Sequence, residues 1–208
     1  MSGIAAEICK AGRRLYAREL ILAAEGNISV RDRSGDIWIT PAGASKGFMT
    51  PRSLIKVNIN GEVIVGSGKP STEIKMHLCV YKQRKDANAV VHIHPVIATA
   101  FASAGVALDK PYLTGNVLTL GVVPVAPYAT PSTDEVAKSI TPFLHNHKAI
   151  LLANHGALCI GKTLDEAVNL AEYVETAAKT ALVMRLLGAE DNFIPPEKVK
   201  QLSCSRAC

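Results

Sequence analysis

The chain has 208 residues, 48% of them hydrophobic, enough apolar side chain for one sizeable core. Its net charge is +5, but the 23 Lys and Arg are dispersed without a basic run and aromatics make up only 5%, so no nucleic-acid partner is expected. No apolar run approaches the roughly 18–20 residues that span a bilayer, and the N-terminus lacks a signal peptide's apolar centre and cleavage site, so a soluble, cytoplasmic protein with no membrane partner is expected.

In chain order, residues 3–23 read as a helix. "GNISVRD" and "DIWIT" are strands joined by "RSG", and "LIKVNI" and "EVIVG" flank Asn60-Gly61, a type I′ hairpin signal. Between the hairpins lies an irregular loop, "TPAGASKGFMTP". "PSTEIKMHLCVYKQR" reads as a helix capped by Ser71 or Thr72, with Ile74, His77, Leu78 and Tyr81 on one face. The strand "ANAVVHIH", a short helix over 95–104, a loop and the strand "GVVPVA" follow. Ser132 with Glu135 reads as a capping box for a helix running towards His145. Then come the strand "KAILLA", the turn "NHG" and the strand "ALCIG". Thr163 with Glu166 opens a helix over 164–187, which Gly188 stops.

No repeat or linker divides the chain, so residues 1–208 read as one domain with 190–208 as a flexible tail. Early hairpins with helices throughout predict an α/β fold, one mixed sheet with helices on both faces. Cys9, Cys79 and Cys159 stand singly in apolar surroundings and read as reduced, mostly buried thiols, whereas Cys204 and Cys208 fall in the polar "SCSRAC" and are expected to be mobile. The odd total of five argues against a complete disulfide set.

The histidines carry the first chemical signal. In "VVHIHPVIA", His92 and His94 stand at i and i+2, which a strand places on one face, and Pro95 ends the strand just beyond them. A metal is one reason for two imidazoles there; core histidines bonded to backbone, or a pair at a sheet edge, are the others. His155 directly follows "KAILLA" and precedes Gly156, which permits a tight turn. Three histidines at strand ends with an open position suit catalytic zinc. The second His-x-His pair, His145 and His147, has Asn146 and Lys148 as neighbours and reads as solvated surface.

Three loops could receive an anion. "GKPSTE" leads Ser71 and Thr72 into a helix N-terminus, "EGNIS" offers the Asn27 amide, and "PAG" offers the Gly43 N–H. Each alone is equally a cap or a turn, and Glu73 in a first helical turn also suits the helix dipole.

Together, "GNIS", "TPAG", "PSTE…H", "HIH" and "NHG", in that order, resemble the class II aldolase/adducin family, in particular its fuculose-1-phosphate aldolase-like branch, from about residue 4 to about 188. The resemblance implies a three-layer α/β/α fold with a central, mainly antiparallel sheet. It implies one Zn²⁺ per subunit on His92, His94 and His155, with Glu73 as movable fourth ligand and proton-transferring base. Asn27, Gly43, Ser71 and Thr72 would hold a substrate phosphate, and Tyr112 would be the proton donor. The activity implied is reversible cleavage of a ketose 1-phosphate to dihydroxyacetone phosphate and an aldehyde through a zinc-stabilised enediolate. A homotetramer with active sites between subunits is implied as well.

The chemistry suits these residue types. Cleaving a β-hydroxy ketone leaves negative charge on oxygens, which a Lewis acid offsets, and a carboxylate beside the metal can exchange the proton. A remote phosphate supplies anchoring energy. The chain departs from the branch at Ala42, where a hydroxyl residue is usual; Lys46 could offset that loss or meet another anionic group. The C-terminal tail also lacks the tyrosine that relatives carry. The rivals are pentulose-5-phosphate 4-epimerisation, whose enzymes carry Asp where Glu73 stands, a sugar-acid phosphate decarboxylase, and a non-enzymatic adducin-head-like module.

Overall fold

Period-two alternation sorts the strand side chains onto two sheet faces, and each face is covered by its own helices. The computed structural model describes residues 3–204, with side chains up to residue 202. In chain order its elements are α1 (Ile4–Ala17), β1 (Asn27–Arg31), β2 (Ile37–Ile39), β3 (Ile55–Val57), β4 (Val63–Val65), α2 (Ile74–Gln83), β5 (Ala89–Ile93), α3 (Val96–Ser103), α4 (Thr114–Thr119), β6 (Val125–Ala126), α5 (Asp134–Ile140), β7 (Ala149–Leu152), β8 (Gly156–Gly161), α6 (Leu164–Leu186) and α7 (Pro196–Cys204). The strands form one sheet in the order β4-β3-β2-β1-β5-β8-β7-β6. All its pairs are antiparallel except β6 with β7.

On one face, Ala89, Val91 and Ile93 of β5 and Ala157 and Cys159 of β8 pack with Ile8 and Leu15 of α1, Ala98 and Phe101 of α3, and Val168 and Val174 of α6. On the other, Val90, Ile150, Leu158 and Ile160 pack with Met76, Val80 and Tyr81 of α2 and Val136 and Ile140 of α5. The expected mainly antiparallel three-layer α/β/α architecture is thus present. Cys9, Cys79 and Cys159 are free thiols, and burial pushes the Cys9 and Cys159 thiols up in pKa, which keeps them unreactive. Cys208 and the side chain of Cys204 lie outside the described residues.

Several local expectations need correction. Helix α1 ends at Ala17 rather than near 23: Glu19 and Ala23 have φ of 58° and 45°, and the Leu20 N–H turns back to the Leu15 carbonyl. That turn buries Leu20 and Ile21. At the second hairpin only Gly61 has positive φ (89°), so the turn is not type I′. Asn58 holds it instead, its Oδ1 accepting from the N–H groups of Asn60 and Glu62. The cap of α5 is Thr133, not Ser132: the Thr133 hydroxyl accepts from the Glu135 N–H, while Ser132 sits at φ 66°. Helix α4 stands where a loop was expected. The C-terminal segment includes α7, which lies against α4, and the Ile194 N–H bonds to the Pro111 carbonyl.

The two cap candidates are separable by mutation. Thr133→Ala should cost about 1 kcal/mol, the usual value of an N-cap hydroxyl. Ser132→Gly should cost nothing, because its backbone already adopts the conformation glycine favours. Urea unfolding of both variants checks this.

Candidate metal centre and its cavity

The sheet register assembles the histidines. His92 pairs with Asn27 of β1 on one side and Leu158 of β8 on the other. On β5 it shares the α2-facing side with Val90, and its ring Nδ1 bonds the Ala157 carbonyl at 2.9 Å. Its Nδ1 therefore carries a proton, and Nε2 is the ring atom that faces the site. His94 lies just past the strand, where its N–H bonds the Leu20 carbonyl and its ring Nδ1 meets Glu25 at 3.2 Å. His155 closes the β7–β8 turn, its N–H bonded to the Leu152 carbonyl.

The positive φ of that turn falls on Asn154 (56°), not on Gly156. Gly156 is needed for space: a Cβ there would lie 2.4 Å from the Ile93 carbonyl oxygen and 2.7 Å from the His94 ring. Its missing side chain lets the imidazoles converge. His94 Nε2 and His155 Nε2 lie 2.7 and 3.3 Å from His92 Nε2.

Glu73 completes the group. It immediately precedes α2, and its N–H bonds the Ser71 hydroxyl. Its carboxylate lies 3.2 Å from His92 Nε2 and 3.1 Å from His155 Nε2. Behind it runs a buried polar chain. The Asn27 amide donates to Glu73 Oε2 at 2.8 Å, and the Asn27 carbonyl oxygen receives His77 Nε2. His77 Nδ1 meets the Ser29 hydroxyl at 2.6 Å, which meets the Tyr81 hydroxyl at 2.8 Å. Because Oδ1 of Asn27 only accepts, His77 is protonated on Nε2 and Ser29 donates to Nδ1.

The electrostatics follow from burial and proximity. Burial alone would raise Glu73, but the imidazoles of His92 and His155 hold it well below the usual carboxylate range, so it is ionised. Burial pushes His77 down to about 3, and burial together with His92 and His155 does the same for His94, so both are neutral.

Four donor atoms, from Glu73, His92, His94 and His155, lie within 4.8 Å of one another and fit a cation. Oε1 of Glu73 is buried without a hydrogen-bond partner, an orphan that a metal ion would satisfy. Three imidazoles and a carboxylate are a donor set suited to zinc.

A cavity of about 270 Å³ opens onto this cluster and is also lined by Asn27, Gly43, Lys46, Ser71 and Thr72. Its two outer loops are tied together: the Ser71 N–H bonds the Thr40 carbonyl and the Ala42 N–H bonds the Lys69 carbonyl. Among the described residues, no acceptor meets the N–H of Gly43 or Thr72. Tyr112 is not brought to this cavity. It lines a separate one of about 400 Å³ with Lys110 and Arg185, and its hydroxyl donates to the Glu190 carbonyl. His145 is exposed, and neither it nor His147 belongs to the Glu73–His92–His94–His155 cluster. Sequence reading overlooked the supporting roles of Ser29 and His77. The one signal was His77 on the apolar face of α2, four residues after Glu73.

The family described as Class II Aldolase and Adducin N-terminal domain matches residues 6–182. A 3-oxo-tetronate 4-phosphate decarboxylase of Pectobacterium atrosepticum is 34% identical, over 89% of each chain. A 5-deoxy-D-ribulose 1-phosphate aldolase of Bacillus thuringiensis is 33% identical, over 95% of this chain and 92% of its own. The solved structure of an L-fuculose 1-phosphate aldolase superposes with a TM-score of 0.92 at 32% identity, covering 100% of this chain and 98% of that one.

The geometry sets an expectation for His77→Phe. It leaves the Asn27 side-chain carbonyl oxygen without its donor in the core and the Ser29 hydroxyl with Tyr81 alone, and should destabilise the protein by about 1–3 kcal/mol, the cost of one orphaned group. His145→Ala should leave both stability and metal content unchanged. Denaturant melts and elemental analysis of the two variants would expose a misplaced centre.

Proposed function

The chain belongs to the class II aldolase and adducin family, and on that premise we propose that it is a zinc-dependent aldolase, reversibly cleaving a ketose 1-phosphate to dihydroxyacetone phosphate and an aldehyde. The observation that carries this reading is the ionised Glu73 carboxylate set against three imidazoles, in a cavity that also presents Asn27, Gly43, Ser71 and Thr72 as neutral hydrogen-bond donors, with Lys46 and Glu25 on its wall.

His92, His94 and His155 would hold one Zn²⁺, with Glu73 as the exchangeable fourth ligand. When bound, the ion supplies Lewis acidity at the substrate's carbonyl and hydroxyl oxygens. The protein's own groups do the rest. Asn27, Gly43, Ser71 and Thr72 receive the phosphate, which anchors the substrate away from the breaking bond. Glu73, kept ionised and aimed by the Asn27 amide, removes the proton from dihydroxyacetone phosphate in the synthetic direction and returns it after cleavage.

Tyr112 faces a different cavity, so as proton donor to the aldehyde oxygen it would serve the site of a second copy of the chain. That fits a cytoplasmic homotetramer with active sites between subunits. The 34% identity to a 3-oxo-tetronate 4-phosphate decarboxylase supports a second reading. In it, the same cavity takes a phosphorylated 3-oxo acid and releases carbon dioxide instead of an aldehyde.

Incubating the zinc-loaded protein with dihydroxyacetone phosphate and a panel of aldehydes tests the first reading; a phosphorylated 3-oxo acid tests the second. Glu73→Gln should keep the metal and lose about 10²–10⁴-fold in rate, the scale of a lost general base. It should also stop exchange of dihydroxyacetone phosphate protons with deuterated solvent. Failure of the wild type to show such exchange would remove the aldolase reading. Tyr112→Phe mixed and reassembled with Glu73→Gln should regain part of the activity if the tyrosine acts across subunits.

A further inference from the structure

Lysines near a surface usually carry their ammonium out to water along a flexible stem. Lys46 does not: it is 2% exposed, on the loop between β2 and β3. The loop is pinned against α1, because Gly12 packs on the Lys46 carbonyl and Gly47 packs on the Tyr16 ring, and a Cβ at either would collide. Among the described residues, the Lys46 ammonium has one partner, the Ala24 carbonyl, and no carboxylate within ion-pair distance. The two carboxylates nearest in charge, Glu73 and Glu25, are engaged with Asn27 and with His94. An ammonium has three N–H donors, so two here have no partner among the described residues.

A buried charge with one carbonyl partner is a cost to the fold, and such a cost persists where a ligand supplies the missing countercharge. Lys46 lines the same cavity as Gly43, Ser71 and Thr72, which contribute neutral donors only. We propose that Lys46 supplies the charge of this anion subsite, its ammonium pairing with the phosphate of a phosphorylated substrate; this rests on the phosphorylated-sugar reading above. Ala42 leaves the loop without a hydroxyl at its turn, and the lysine four residues on provides a stronger, charge-assisted donor in its place. Burial pushes Lys46 down to about 8, partly opposed by Glu73 and Glu25, so the ammonium is still mostly charged at neutral pH.

The test uses the metal-loaded full chain, titrated calorimetrically with inorganic phosphate and with dihydroxyacetone phosphate. Lys46→Met should weaken both by about tenfold or more, the scale of one charge-assisted hydrogen bond. It should also raise KM for the phosphorylated substrate with little change in kcat. Without ligand, its Tm should equal or exceed that of the wild type, and phosphate should raise that Tm less than it raises the wild type's. Lys46→Gln, which keeps a donor but no charge, should fall between the two in phosphate affinity. If Lys46→Met binds phosphate like the wild type while Ser71→Ala/Thr72→Ala is weakened, the lysine has no anion role and the cradle stands. If none of these variants alters phosphate binding, the cradle itself is misplaced and the proposal falls with it. A Lys46→Met chain that fails to fold, or melts well below the wild type, overturns the proposal too, because the lysine is then a structural tie to Ala24.

Discussion

The site depends on a match of spacing between a helix and a strand. Four residues of helix rise about 6.0 Å, and two residues of strand about 6.8 Å. Glu73, His77 and Tyr81 therefore keep step with Asn27, Ser29 and Arg31. Each rung is polar: carboxylate to amide, amide to imidazole, imidazole to hydroxyl, hydroxyl to phenol. At the far end the Arg31 guanidinium lies over the Tyr81 ring and donates to the carbonyls of Tyr81, Arg84, Lys85 and Ala87. A buried polar seam of this length is tolerable only when its members satisfy one another.

That seam transmits order to the chemistry. Neutral His77 fixes which way the Asn27 amide points, and the amide presents its N–H to Glu73. Asn27 also pairs directly with His92 across the sheet, so one residue links the carboxylate and the imidazole triad. The imidazoles of the cluster are placed by backbone. Gly26 lies so close to the His92 carbonyl that a Cβ would sit 2.6 Å from it, and Gly156 leaves room for the rings of His92 and His94. The triad is thus set by close packing of strand ends, which leaves little freedom to rearrange.

The cavity concentrates groups that a fold would otherwise avoid burying: three imidazoles, a carboxylate and a lysine. Two apolar clusters, one on each sheet face, offset that cost and surround the site with rigid elements. The cavity that holds Tyr112 lies apart, bordered by α4, α6 and the segment before α7.

Much of this was legible in the sequence because it is written in local patterns. Continuous apolar runs in "AVVHI" and "AILL" marked the buried strands, and Pro95 marked where the histidine strand stops. Thr163 and Glu166 cap α6 as their spacing predicts. The resemblance carried by "GNIS", "PSTE", "HIH" and "NHG" pointed to the right family and to the four residues that converge into a cluster able to hold a metal ion. Local pattern failed where conformation depends on what the chain meets later. The end of α1 is fixed by Leu20 and Ile21 entering a core formed by distant strands, and Gly156 is required by rings that belong to another strand. Ser29 and His77 looked like an ordinary strand residue and an ordinary core histidine. Their role exists only once α2 lies along β1, because each hydrogen bond of that seam joins residues about fifty positions apart. Likewise nothing in "GASKG" says that Lys46 is buried, or that Tyr112 opens onto another cavity; burial and cavity sharing are properties of the packed chain.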